Sequence, residues 1–300
     1  MLLASSTSIF VHDPIGIAPF PIGRRMAPYK RVLSLYDAIS FRYPESYPWL
    51  NNFLHQTYVP RMLPNVDALI TGSMSARQDL VHFLPMPVER THIVQCGIGA
   101  QFAPQSQANI EAVMARYGLR QPFILTVSAW QPRKNIEGLL KAFSLLHQQF
   151  PEFMLVIAGI PLWSSNDLSE QIRSLGIEDA VVMPGYIAEN DLPSLYSAAR
   201  LFVFPSFYEG FGFPVLEAMA CGTPVVCSNT SSLPEVAGDA ALQVDPHDAE
   251  AIAIAMKRLL DDPQLYIRMR EAGFDQAKRF TWGRAAEETV AIYEKVLHAT

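Results

Sequence analysis

The sequence predicts an α/β protein with a doubly wound parallel sheet in its later part and a second, smaller α/β unit before it. Three observations predict it. From Phe123 onward, short apolar runs alternate with helical patterns, the βαβα order that builds a parallel sheet. Before Pro104 the pattern is less regular, but strand and helix candidates there support a second, smaller unit. Half of the 300 residues are apolar and only 17% are charged, which is enough apolar material for sizeable cores. The expected domains are residues 1–104 and 105–300.

Along the first domain, residues 8–11, 31–36, 68–71 and 92–95 read as strands, and 49–63 and 75–83 as helices. Residues 104–121 read as a linker that carries a helix over 108–117. In the second domain, 123–128 is a strand. Ile136, Leu139, Leu140, Phe143 and Leu146 then place one apolar face on a helix over 136–149. Further strands are expected at 153–159, 180–183, 201–204 and 223–227. Helices are expected at 167–175, at 191–199 and after Pro214. Beyond about Ala249 the pattern is helical to the end, through Leu260, over 266–279 and over 284–297. Thr281 is the expected N-cap of the last helix, and Trp282 an expected core residue.

Composition narrows the function. Net charge is −6, with eight Lys/Arg against six Asp/Glu up to Pro104 and fifteen against twenty-three after it. Such a balance makes a poor nucleic-acid binder. No apolar run reaches the ~18 residues that span a bilayer, and the first five residues make a poor signal peptide. The three cysteines, Cys96, Cys221 and Cys227, lack metal-site spacing and read as reduced thiols of a cytoplasmic protein. The basic cluster Arg24, Arg25, Lys30 and Arg31, beside Phe20 and Ile22, is either a solvated loop or a weak contact with a membrane surface, which would place the protein peripherally at the inner membrane face.

The most informative segment is Pro205-Ser206-Phe207-Tyr208-Glu209-Gly210-Phe211-Gly212-Phe213-Pro214-Val215-Leu216-Glu217. It sets a glycine-rich loop between an apolar strand and a helix opened by Pro214. Gly210 and Gly212 let backbone N–H groups approach a ligand, and the helix start favours phosphate. A carboxylate on either side of a phosphate site points to hydroxyl recognition on a sugar. The alternative is that Glu217 only complements the helix dipole and Glu209 only caps a loop. Earlier, Ser128-Ala129-Trp130-Gln131-Pro132-Arg133-Lys134-Asn135 closes a strand and opens a helix. Adjacent cations do not suit a helix start. They make sense there if a pyrophosphate needs neutralising, or they are a solvated pair.

Both segments closely resemble the retaining glycosyltransferases of family 4, whose fold is called GT-B: the first matches the E-x7-E signature, the second a G-x-x-x-P-R-K-N run. The resemblance spans about residues 31 to 298 and is strongest after Pro122. It implies that Arg133 and Lys134 hold the donor diphosphate, with Ser128 near the phosphates. It further implies that Gly185, Tyr186 and Ile187 meet the nucleotide base, largely through backbone, and that Gly210, Phe211, Gly212 and Phe213 present N–H groups to sugar and phosphate. Glu209 would meet sugar hydroxyls and Glu217 the ribose. Residues 229–235 also fit the family pattern, and Arg279-Phe280-Thr281-Trp282 is similar to the family's F-S-W.

The implied reaction moves a hexose, with GDP-mannose the favoured donor, from a nucleotide diphosphate sugar to a hydroxyl of a glycan or lipid-linked glycan. It retains anomeric configuration and uses no cofactor and no essential metal, and no Asp-x-Asp motif is present. Two departures stand out. Where the family commonly has His-Asp beside the transferred sugar, this chain has Tyr36-Asp37, and His12-Asp13 fits another strand end. Tyrosine donates a hydrogen bond but does not titrate near neutrality. The resemblance also implies two Rossmann-like doubly wound domains, of which the first is short by several elements here: it lacks the family's opening strand and glycine-rich turn, as a fragment or a reduced acceptor side would. Both departures leave open a catalytically reduced donor-binding partner subunit, and an epimerase shares the two-lobed fold.

Overall fold

The structure, a computed structural model, describes residues 9–12, 30–120, 122–161 and 168–299. In chain order its strands are β1 (Ile9–His12), β2 (Lys30–Ser34), β3 (Ala68–Thr71), β4 (Thr91–Ile93), β5 (Phe123–Val127), β6 (Met154–Ala158), β7 (Val181–Gly185), β8 (Leu201–Phe204), β9 (Val225–Ser228) and β10 (Ala241–Val244). Its helices are α1 (Ile39–Arg42), α2 (Trp49–Met62), α3 (Met74–Phe83), α4 (Gln107–Arg116), α5 (Ile136–His147), α6 (Leu168–Ser174), α7 (Leu192–Ala198), α8 (Phe213–Ala220), α9 (Leu233–Ala237), α10 (Ala249–Asp261), α11 (Pro263–Ala277) and α12 (Trp282–His298). None of the described helices is long and apolar enough to cross a membrane.

The chain divides into two units, residues 1–97 with 281–300, and residues 98–280. The sequence reading set the division at 104/105 and kept the closing helices together in the second domain. Here α12 returns to the first unit, for a packing reason. That unit has a parallel sheet in the order β1-β2-β3-β4. Alternate residues of a strand face opposite sides, so a parallel sheet has two apolar faces to cover. Leu33 and Leu69 pack with Val59, Leu63 and Leu80 of the segments 49–63 and 74–83 on one face. Val32, Ala68 and Ile70 need another cover, and Ala285, Ile292 and Val296 of α12 supply it. Thr281 caps α12, its hydroxyl accepting from the Arg284 N–H at 3.2 Å, as expected. Trp282 is corrected: it is 54% exposed, because it opens the helix one turn before the buried stripe begins at Ala285.

The second unit has six parallel strands in the order β10-β9-β8-β5-β6-β7. Read from the other edge this is the third, second, first, fourth, fifth and sixth strand of the unit, the doubly wound order of a Rossmann-like domain. The direction in which successive strands are added reverses between β5 and β8. Ligands of such sheets bind beyond the carboxyl ends of the strands at that reversal. The predicted stripe of α5 is wholly buried against β5, β6 and β8. Two elements of this unit, like α1 of the first, escaped the sequence reading. β10 is a half-exposed edge strand interrupted by the polar Gln243, so it shows no continuous apolar run, and α9 is only five residues long.

Candidate functional site

The loops after β5 and β8 meet at the reversal point, and one asparagine staples them. Asn135 adopts a left-handed conformation (φ 55°) and caps α5, its Oδ1 accepting from the Gly138 N–H at 3.2 Å. Its Nδ2 donates to the Pro205 carbonyl at 3.0 Å and to the Pro246 carbonyl at 2.7 Å. The Phe207 N–H also donates to the Arg133 carbonyl at 2.8 Å. Asn135→Ala removes a cap, two buried bonds and a residue that tolerates φ > 0. It is expected to lower the unfolding free energy by about 2–3 kcal/mol. Asn135→Gly, which relieves only the backbone part, recovers about 1 kcal/mol of that. Denaturant melts of the two variants check the difference.

The short turn Pro132–Lys134 places both cations against the β8 loop. Arg133 Nη1 donates to the Tyr208 carbonyl and to Glu209 Oε2, each at 3.0 Å, and Lys134 Nζ donates to Glu209 Oε1 at 2.6 Å. The three side chains are 9–11% exposed. Burial pushes the Glu209 carboxyl up, but the charges of Lys134 and Arg133 outweigh burial and hold it below its ordinary value. Two cations against one carboxylate leave an excess of one positive charge among side chains largely shielded from water, and the buried Nε of Arg133 has no acceptor among the described residues.

The Glu209 loop is held from behind by the segment after β9. The Glu209 N–H donates to Ser231 Oγ at 3.1 Å, and Ser232 Oγ donates to the carbonyls of Glu209 at 3.0 Å and Phe211 at 2.6 Å. Gly212 then turns the chain into α8 with φ 117°. A Cβ there would sit 2.8 Å from Leu233 Cδ2, so the position requires glycine. No side chain caps α8; its first N–H is that of Phe213, Pro214 carries none, and the Val215 N–H donates to the Gly212 carbonyl at 3.1 Å. Pro214 is its second residue rather than its first. Glu217, on α8, accepts from the Tyr196 hydroxyl at 2.8 Å. Burial raises its pKa, opposed by that bond and reinforced by the nearby Glu189 charge.

Among the residues singled out from sequence, Arg133, Lys134 and Glu209 thus come into direct contact. Ser128 follows β5, is 8% exposed, and its hydroxyl has no partner among the described residues. Gly210, Phe211 and Gly212 are buried, and the Phe211 ring packs on Phe213 at 5.0 Å and Phe280 at 5.9 Å, so only its backbone is available to a ligand. Phe213 is exposed. In the loop after β7, Gly185 has φ 81°, Tyr186 is 69% exposed and Ile187 is buried. Either aromatic or aliphatic packing on a base was open from sequence, and Ile187 is a core residue.

Tyr36 and Asp37 belong to the other unit, just beyond β2. The Tyr36 carbonyl accepts from Thr71 Oγ1 at 3.3 Å, and Asp37 Oδ1 accepts from the Ile39 N–H at 2.9 Å. Asp37 also lies near His55, whose pKa burial lowers and Asp37 partly restores. Of the basic cluster, Lys30 is engaged within its own unit, donating to the Ala299 carbonyl at 2.8 Å and pairing with Asp67 at 3.8 Å. Arg24 and Arg25 lie outside the described residues, as do Asp13 and the side chain of His12. Sequence reasoning gave no role to Asn135 or Tyr196. An asparagine just before an apolar helical stripe is an N-cap signal and was available for the first. Nothing in the pattern marked Tyr196.

Residues 110–276 match the family described as "Glycosyl transferases group 1". The chain is 35% identical over 272 residues to O-antigen chain mannosyltransferase B of Escherichia coli, covering 88% of this chain and 70% of that protein. It is 30% identical over 282 residues to the serotype-specific mannosyltransferase WbdA of Escherichia coli, covering 91% of this chain but only 34% of that protein. Among solved structures, sucrose-phosphate synthase from Thermosynechococcus elongatus superposes with a TM-score of 0.74 at 25% identity, over 91% of this chain and 69% of that one. Anabaena HepE, solved with UDP and glucose, superposes with a TM-score of 0.75 at 21% identity, over 90% and 72%. With its parallel sheets, its doubly wound second unit and these relatives, the chain has the GT-B fold and belongs to the glycosyl transferases group 1 family.

Proposed function

We propose that this chain is a retaining hexosyltransferase of family 4. It moves mannose from GDP-mannose to a hydroxyl of a glycan or lipid-linked glycan. One observation carries the reading: Arg133 and Lys134 converge on Glu209 at the reversal point of the sheet, where a doubly wound domain takes its ligand. The excess positive charge there, with the uncapped start of α8, favours a diphosphate. The names of the relatives support mannose.

In this reading the diphosphate lies on Arg133, Lys134 and the loop 210–213 at the start of α8, with the Ser128 hydroxyl beside it. Its negative charge grows as the bond to the anomeric carbon lengthens, and the fixed cations stabilise that charge more than the ground state. Glu209 accepts from hexose hydroxyls, Glu217 from the ribose, and the loop 185–187 meets the base. Asp37 and the Tyr36 hydroxyl act on the side of the transferred sugar. Fixed side-chain cations take the place a divalent metal holds in other transferases, so no resident metal is invoked.

The test is incubation with GDP-mannose, UDP-glucose and a mannan-type acceptor, with nucleotide release and product anomer followed together. The expected result is acceptor-dependent release of GDP and an α-linked product from the α-linked donor, at a rate that EDTA leaves within about twofold. An inverted product would overturn the retaining assignment. An isomerised donor would point to an epimerase, and binding without turnover to a partner subunit.

A further inference from the structure

We propose that Tyr117 fixes the backbone of the loop 185–188 and is thereby a positioning residue for nucleotide recognition. The inference rests on the reading above, in which that loop meets the base. Tyr117 closes α4, far from the loop in sequence, yet its hydroxyl is used in both directions. It donates to Asp191 Oδ2 at 2.8 Å and accepts from the Ala188 N–H at 3.1 Å. A hydroxyl with a donor on one side and an acceptor on the other has a single orientation.

The partner that orients it is itself held. Arg116 Nη1 reaches both Asp191 oxygens, at 2.8 and 2.6 Å, and the Asp191 side chain is 11% exposed. The Asp191 N–H returns to the Ala188 carbonyl at 2.8 Å. Ala188 is therefore gripped at its N–H by Tyr117 and at its carbonyl by the turn into α7. The other end of the loop is pinned as well, because the Gly159 N–H donates to the Gly185 carbonyl at 2.9 Å. Between the pins Ile187 is a buried anchor and Tyr186 projects outward. What the loop can offer a ligand is its backbone and the Tyr186 ring. Backbone recognition of a planar base tolerates little displacement, since a shift of an ångström breaks a hydrogen bond.

Titration calorimetry on the full chain with GDP, UDP and inorganic pyrophosphate tests the inference. Tyr117→Phe keeps the ring and removes both bonds. For the nucleotide that the wild type binds, its affinity is expected to fall about tenfold, while pyrophosphate affinity stays within about twofold. The donor KM should rise about tenfold with kcat within about twofold. Asp191→Asn weakens the same grip and should move nucleotide affinity the same way, by about threefold, and it carries the comparison if Tyr117→Phe does not fold. Unchanged nucleotide affinity in both variants overturns the inference and leaves the functional reading intact. Equal losses for nucleotide and pyrophosphate also overturn it, since they mark Tyr117 as a support of the fold alone. A wild type that binds pyrophosphate but neither nucleotide overturns both readings.

Discussion

Lys134→Ala is expected to weaken GDP binding by about a hundredfold or more, which corresponds to about 3 kcal/mol. The size follows from where the ammonium sits. Lys134 Nζ is 2.6 Å from Glu209 Oε1 and 5.0 Å from the centre of the Phe204 ring, with a side chain only 11% exposed. A cation in so little water interacts with a phosphate far more strongly than a surface lysine does, and truncating one member of a desolvated charge pair costs about 2–5 kcal/mol. Without it the cluster falls from an excess of one positive charge to neutrality, and an incoming diphosphate meets Glu209 with only Arg133 to balance it. The fold suffers less, by about 1–2 kcal/mol, because Glu209 keeps Arg133 and is not stranded. Calorimetry with GDP and with pyrophosphate checks the loss, and both should fall together, unlike in Tyr117→Phe. Lys134→Met, which retains the stem, should behave as the alanine does. Unchanged affinity would remove Lys134 from the site.

What the sequence disclosed and what it concealed differ in range. The α5 stripe from Ile136 to Leu146 and the strand at 201–204 are local patterns, and the structure shows them as read. The contact of Arg133 and Lys134 with Glu209 was also within reach, because both loops follow strands of one parallel sheet and such loops share an edge. The staples behind that contact were not. Asn135 reaches Pro205 and Pro246 across 70 and 111 residues, and Ser231 and Ser232 reach Glu209 and Phe211 across more than 20. No periodicity reports which distant backbone group a side chain will satisfy. The same limit explains α12. Its amphipathic face was visible, but which sheet it covers depends on Val32, Ala68 and Ile70, some 200 residues earlier. β10 is hidden for a different reason: the polar, exposed Gln243 interrupts its short run of apolar residues.

Glu209→Gln is expected to separate binding from turnover. The side chain is isosteric, so the pocket keeps its shape, but an amide cannot accept from both cations, and one of its two heads turns a donor toward Arg133 or Lys134. The cluster gains a net positive charge, so pyrophosphate and GDP should bind as tightly as before or tighter. Turnover should fall by about 10²–10³, the range measured when one preorganised group facing the reacting centre is lost. Stability should carry its own signature. The folded carboxyl is held below its ordinary value of 4.5, so its contribution is present above that value and is lost as pH falls through the lower folded value. Wild type should therefore lose stability on acidification below about pH 4.5 more steeply than the Gln variant, whose amide does not titrate. Melts across pH 3 to 7, beside GDP calorimetry and product assays, read all three quantities on one protein. Full activity in the variant at an equal melting temperature would end the proposed part of Glu209 in the chemistry. A parallel loss of GDP affinity would mean that the carboxylate serves to hold the cations in place rather than to meet the sugar.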